Sequence, residues 1–130
     1  MKTLIGRLRG DRGSAVVEFA LVTPLLLLVA LAVLQVTLAL HVRATLTAAA
    51  AEGARAGALA GSGLRVAEAR TREVLADALG GSAASDIAAS RVRLDGVEVI
   101  RVRVTSSLPL LGTLGPTALT IEGHAMTERL

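Results

Sequence analysis

The chain has 130 residues and no cysteine, which excludes disulfides and thiolate metal sites. Its net charge of +3 lies entirely in residues 1–43, because residues 44–130 balance nine arginines against nine acidic residues. There is thus no basic patch outside the N-terminal segment, and a single aromatic, Phe19, provides no stacking platform, so nucleic acid is not an expected partner.

The first predicted element is a membrane-spanning helix. Residues 19–40 carry no charged side chain, and as a helix these 22 residues measure about 33 Å, enough to cross a bilayer core of about 30 Å. A cleavable secretory signal has a shorter apolar stretch, about 7–15 residues. Basic residues precede the run, so the positive-inside rule places the N-terminus in the cytoplasm and the remainder outside. They are Lys2, Arg7, Arg9 and Arg12.

The helical pattern continues beyond the span. Residues 41–60 are rich in alanine, and Ala49, Gly53, Gly57 and Gly61 recur every four residues along one face. Small residues at this spacing let another helix approach closely, which makes Gly53 and Gly57 candidate helix-packing residues. The alternative is that the glycines only weaken the helix end, at about 1 kcal/mol each relative to alanine.

A second, amphipathic helix is predicted over residues 64–79, with Ser62 as its N-cap and a stop at Gly80-Gly81. Glu68 and Arg72 stand four apart, in the orientation that favours an ion pair on the exposed face. Residues 82–90 are small and polar and are interpreted as a linker. The predicted apolar stripe comprises Val66, Ala67, Val74, Leu75, Ala78 and Leu79.

A β-hairpin follows, because Asp95-Gly96 suits the type I′ turn that joins twisted strands. In that register Leu94 faces Val97, Val92 faces Val99, and Arg93 faces Glu98. Farther on the apolar positions change parity, at Ile100, Val102 and Val104, so a bulge near residues 99–100 is expected. Residues 108–116 read as a loop, and Leu119, Ile121 and Ala125 indicate a third strand.

These elements predict an α+β fold with a long N-terminal transmembrane helix extended outside the membrane, a second amphipathic helix and a small antiparallel sheet. Three regions are expected. Residues 1–13 form a basic cytoplasmic leader that is cleaved, residues 14–61 the transmembrane and extended helix, and residues 62–130 a small extracytoplasmic α+β region.

The sequence offers no catalytic constellation. The two histidines, His41 and His124, have no second ligand or nucleophile at a useful spacing, and no glycine-rich phosphate loop follows a strand. We therefore expect a protein that is not an enzyme and that has no metal or cofactor.

Glu18 is the residue with the strongest functional signature, because it stands alone at the edge of the apolar run. A carboxylate at the edge of a hydrocarbon layer is costly unless it is paired. If the chain is cut after Gly13, the new amine on Ser14 lies about one helical turn from Glu18 and can pair with it, within one subunit or between neighbours. In the competing interpretation Glu18 merely reaches to the membrane interface.

The residues Gly13-Ser14-Ala15-Val16-Val17-Glu18-Phe19 before a long apolar helix resemble the prepilin-peptidase signal of type IV pilins, in the variant typical of Flp pili. The segment through Pro24 is similar to the opening of the TadE-like family, and residues 49–56 resemble that family's AAxEGARxA block. The resemblance covers about residues 13–57.

The resemblance implies a minor pilin-like subunit, a pseudopilin, of a tight-adherence (Flp) type IV pilus assembly or secretion apparatus. Gly13 would be the last leader residue, Ser14 the new N-terminus, and Glu18 with Phe19 would set the register between subunits. The implied partners are a prepilin peptidase, other pilin-like subunits, pilus platform proteins and the lipid bilayer. The location would be the cell membrane or the pilus.

Two alternatives remain open. The chain could be an uncleaved, membrane-tethered binding module whose helix is only an anchor. It could also be a small secreted protein that is cut near Ala48-Ala49-Ala50, although its apolar run is long for that route.

Overall fold

The computed structural model describes residues 2–59, 62–80, 86–108 and 117–127. Two helices precede three strands, α1 (Lys2–Ala58), α2 (Leu64–Leu79), β1 (Asp86–Leu94), β2 (Val97–Leu108) and β3 (Thr117–Met126). The chain divides into two compact units, residues 1–37 and residues 38–130. This arrangement confirms the α+β fold with a long apolar N-terminal helix, a second helix and a small antiparallel sheet.

Helix α1 forms because it contains only one proline, Pro24, and is dominated by leucine, valine and alanine. It begins at Lys2, so the segment predicted as a leader is helical as well. Its part after residue 37 belongs to the C-terminal unit and supplies that unit's core with Leu46, Ala49, Ala50, Ala54 and Ala58.

Helix α2 has the predicted bounds, but its cap differs from the prediction. The N-cap is Gly63 in an extended conformation, without a side-chain cap, so the assignment of Ser62 was wrong. At the other end Gly80 has a φ of 82° and donates its N–H to the Ala76 carbonyl, as expected for a glycine stop. The buried stripe is Ala67, Thr71 and Leu75, whereas Val66 and Ala78 are exposed.

The hairpin between β1 and β2 confirms the predicted turn and register. Asp95 and Gly96 both have positive φ, 50° and 82°, as a type I′ turn requires. The pairs Leu94 with Val97, Val92 with Val99, and Arg93 with Glu98 lie opposite each other.

Two predictions around this hairpin were wrong. Strand β1 begins at Asp86, so residues 86–90 are not linker but pair with β2 as far as Thr105. The register is also continuous through Val99 and Ile100, without a bulge. The apolar positions change parity because the outward face of the sheet is apolar near the turn, whereas the inward face is apolar farther along the strands. Near the turn the outward face carries Leu94 and Val97, and farther along the inward face carries the core.

The sheet has the order β1-β2-β3, with β2 in the centre and all pairs antiparallel. The third strand confirms the prediction around Leu119, Ile121 and Ala125. Residues 109–116, predicted as a loop, lie outside the described residues. The core of the C-terminal unit joins Ile100, Val102, Val104 and Ile121 of the sheet with α2 and the second part of α1.

Candidate functional site

The segment predicted to be processed lies within α1. A Cβ added at Gly13 would have no heavy atom within 4 Å. A glycine inside a helix is destabilising by about 1 kcal/mol relative to alanine. The surroundings of Gly13 in this structure therefore do not require a glycine at this position.

Ser14, Glu18 and Phe19 are all exposed, and Ser14 and Glu18 stand four residues apart on one helix face. Phe19 exposes 73% of its surface although it is the chain's only aromatic. The role predicted for these side chains stays a prediction.

The apolar part of α1 after Phe19 exposes its large side chains on every side. From Leu21 to Val36 all leucines and valines are at least 44% exposed. A helix that is apolar all round is typical of a buried segment or a membrane span. Among the described residues, α1 is the one helix that is long and apolar enough to cross a membrane. Its most apolar window has a mean hydropathy of 2.6. It is a candidate membrane anchor.

The hydroxyls in this apolar part are satisfied within the helix. Thr23 Oγ1 donates to the Phe19 carbonyl at 2.7 Å, and Thr37 Oγ1 donates to the Val33 carbonyl at 2.9 Å. Internal bonds of this kind remove the cost of placing a hydroxyl in hydrocarbon.

The second resemblance, residues 49–56, lies at the contact between α1 and α2. A Cβ at Gly53 would overlap Thr71 Oγ1 and lie 2.7 Å from the Ala67 carbonyl oxygen. A Cβ at Gly57 would lie 2.6 Å from Ala67 Cβ. In this structure both glycines are therefore buried against α2 of the same chain, at a distance that no side chain allows.

An ion-pair cluster flanks the glycine contact. Arg70 of α2 donates from Nε to Glu52 Oε1 at 3.0 Å, from Nη2 to the same oxygen, and from Nη1 to Glu73 Oε2 at 2.9 Å. Hydrogen bonding to Glu52, and then to Glu73, raises the pKa of Arg70 above its ordinary value. Glu52 of the block thus pairs with α2 beside the glycine contact.

The same block also contacts the sheet. A Cβ at Gly123 of β3 would overlap the Ala50 carbonyl carbon and lie 2.6 Å from the Ala51 nitrogen. Backbone against backbone is possible only because position 123 has no side chain. The block between Ala49 and Gly57 is consequently held between α2 and β3.

Arg55 is the charged residue of this block that has no ion-pair partner among the described residues. It is exposed, and no carboxylate of the described residues pairs with it. With Ala58 and Leu59 it lines a shallow groove against the end of β3, formed there by His124, Ala125 and Met126.

The outward face of the sheet carries a second charged cluster, centred on Glu122. Arg103 donates to Glu122 Oε1 from Nε at 2.9 Å and from Nη2 at 2.8 Å, while Arg101 Nη1 lies 3.8 Å away. The hydrogen bond from Arg103 holds the pKa of Glu122 below its ordinary value of 4.5. His124 is exposed on this face, with Nε2 4.0 Å from Glu122 Oε2.

Replacing Glu122 with glutamine should lower the thermal midpoint of the C-terminal unit at neutral pH, with an effect that shrinks in acid. Because the pKa of Glu122 is lowered on folding, its stabilising contribution is present above about pH 4.5 and is lost as the pH falls through the folded-state value. Circular-dichroism melting of both proteins between about pH 7 and pH 3 should show the curves converging. Asp77→Asn, which removes an exposed carboxylate of α2, is the control. The difference between its midpoint and that of the wild type should not shrink in acid. A midpoint difference that is unchanged in acid would contradict this role.

Comparison with protein families identifies the first part of the chain. The model of the TadE-like protein family matches residues 13–55. This segment is TadE-like. The match includes Gly13, Glu18 and Gly53. No curated protein and no solved structure matches the chain.

The TadE-like segment therefore contains two kinds of residue. Gly53 and Glu52 organise the fold, whereas Gly13, Glu18 and Arg55 have no contact within the described chain that explains them. Sequence reasoning missed Thr71, Arg70 and Gly123 as contact residues. A glycine inside a strand pattern, as at position 123, is the one signal that could have indicated a close backbone approach.

Proposed function

We propose that the chain is a non-enzymatic, pilin-like subunit of a tight-adherence (Flp) pilus assembly or secretion apparatus. A prepilin peptidase cuts it after Gly13, and it assembles through its N-terminal helix with other pilin-like subunits. Its N-terminus starts in the cytoplasm, and residues after the span lie outside the membrane, on the pilus or at its base.

The observation that carries this proposal is the TadE-like match together with Gly13 and Glu18, which this chain's own packing does not require. Cleavage after Gly13 would place an ammonium on Ser14, about one turn from Glu18 at the edge of the uncharged run. Pairing the two charges, within or between subunits, would offset the cost of holding Glu18 at the hydrocarbon edge.

The tethered-module alternative differs in the mass of the mature protein. Intact mass and N-terminal sequencing of membrane-extracted protein should give a chain that begins at Ser14. Gly13→Val should leave the fold intact, because the position has open space around it, but should retain residues 1–13. Wild-type protein that begins at Met1 in every fraction would make the helix a simple anchor.

The secreted alternative is disfavoured by the core. Cleavage near Ala48–Ala50 would remove Leu46, Ala49 and Ala50, each fully buried in the C-terminal unit. Deleting a buried leucine side chain alone is destabilising by about 2–5 kcal/mol. Cell fractionation tests this alternative, because it requires the product to leave the membrane.

A further inference from the structure

The two edges of the sheet differ in how their backbone groups are satisfied. The bond from Thr127 N–H to the Glu98 carbonyl fixes which residues of β3 face β2, because hydrogen-bonded pairs alternate in an antiparallel ladder. Odd-numbered residues of β3 bond to β2, and the N–H and C=O groups of the even-numbered ones point away from it. The outward set is Thr120, Glu122, His124 and Met126.

The edge of the sheet at β1 is covered along the first part of the strand. Helix α2 packs along this strand, and Glu68 Oε1 accepts the outward N–H of Ala89 at 3.0 Å. Toward the turn the outward positions carry Arg91 and Arg93, and charged residues on an edge discourage pairing. No described residue bonds to the outward backbone groups of β3.

The open part of the β3 edge adjoins the groove that contains Arg55. The groove has apolar surface from Leu59 and Met126, which expose 55% and 75% of their area. Among the described residues that line it, Arg55 is the one permanent cation and none has a carboxylate. The nearest acid on the strand, Glu122, is already bound by Arg103.

We propose that the outer edge of β3 binds an extended segment of a partner protein, which adds a fourth strand beside His124 and Met126. The segment carries an acidic side chain that pairs with Arg55 and an apolar side chain that packs on Leu59 and Met126. Main-chain bonds to an exposed edge supply affinity, and side-chain pockets supply selectivity. This proposal stands independently of processing at Gly13.

The test is to pan a displayed library of random nonapeptides against the full-length chain in detergent micelles. The enriched peptides should alternate apolar and polar residues and should contain Asp or Glu. Arg55→Glu should weaken them by about tenfold or more, because a charge-assisted contact becomes a repulsion. Arg43→Glu, the same change at an exposed position of α1 outside the groove, is the matched control and should have no effect.

A second variant tests the backbone. His124→Pro removes an N–H that the fold does not use, and proline is tolerated on edge strands in that orientation. It should keep the melting midpoint and lose peptide binding. If it fails to fold, the comparison of Arg55→Glu with Arg43→Glu still decides the matter.

Other outcomes would overturn the proposal. They are a library without enrichment, enriched peptides without an acid, and equal weakening by Arg43→Glu. If wild-type protein dimerises in micelles and His124→Pro dissociates the dimer, the edge binds a second copy instead. Binding to phosphatidylglycerol vesicles that falls with Arg55→Glu and not with His124→Pro would assign the groove to lipid.

Discussion

Replacing Gly53 with valine should unfold much of the C-terminal unit, lowering its thermal midpoint by roughly 12–24 °C. The side chain would overlap the Thr71 hydroxyl, and Thr71 is completely buried. Thr71 cannot turn away without breaking the bond that its hydroxyl donates to the Ala67 carbonyl at 2.8 Å. The helices must therefore separate.

The magnitude follows from overpacking, which is destabilising by about 1–3 kcal/mol. We take the upper end, about 3 kcal/mol, because a buried carbonyl and a buried hydroxyl both oppose the new methyl groups. In a domain of this size each kcal/mol shifts the midpoint by about 4–8 °C. Circular-dichroism melting in detergent measures the shift.

Two further variants make the interpretation specific. Gly13→Val places the same side chain on the same helix, where nothing lies within 4 Å, and should leave the midpoint unchanged. Gly53→Ala should be milder, and adding Thr71→Ala to it should restore part of the loss, because the overlapping oxygen is gone. If the double variant melts no higher than Gly53→Ala alone, the helix contact does not determine stability.

Replacing Glu18 with glutamine should reduce surface filaments at least about tenfold while the protein still inserts in the membrane. Glutamine has nearly the same shape but no charge, so it removes only the attraction for an ammonium. The apolar span then keeps its affinity for the bilayer but loses the pairing that would set one subunit's depth against the next. Counting filaments by electron microscopy, with immunoblots of the sheared surface fraction, measures the effect.

The matched control is Glu52→Gln, the same change on the same helix. Glu52 is paired with Arg70 within this chain, so its loss should weaken the contact with α2 and leave filament number nearly unchanged. Undiminished filaments in Glu18→Gln would refute the role of this carboxylate in assembly.

The sequence predicted those parts of the fold that local rules control. The type I′ turn at Asp95-Gly96 sets the strand register by itself, and α2 begins and ends at the predicted residues. The long apolar helix was equally evident, because residues 19–40 contain no charge.

The first half of β1 could not be predicted because its residues have no strand pattern of their own. Ala88, Ala89 and Ser90 are small and are held by pairing with β2 and by Glu68, which was interpreted as solvent-exposed and paired with Arg72. Thr71 was missed for a similar reason. A polar residue is expected outside a core, but its hydroxyl is satisfied by its own helix.

The helix that carries the candidate site residues was predicted from the sequence, whereas its contacts were predicted only in part. The sequence pattern predicted that Gly13, Glu18, Gly53 and Gly57 lie on one helix, and this prediction depends on periodicity alone. That Gly53 lies against Thr71, or Gly123 against Ala50, depends on how distant segments pack, and no local pattern contains this information.

The bond from Ala89 to Glu68 has a consequence for how many chains can join through their sheets. Continuous cross-β growth requires every molecule to have two free sheet edges, because each molecule must pair with a neighbour on both sides. Because α2 and Glu68 cover the first part of β1, each molecule has one free sheet edge, that of β3. If a strand adds at β3 as proposed, growth through the sheets would stop after a single event, so crowding on a membrane should yield discrete sheet-paired complexes rather than cross-β fibres, whatever assembly α1 supports.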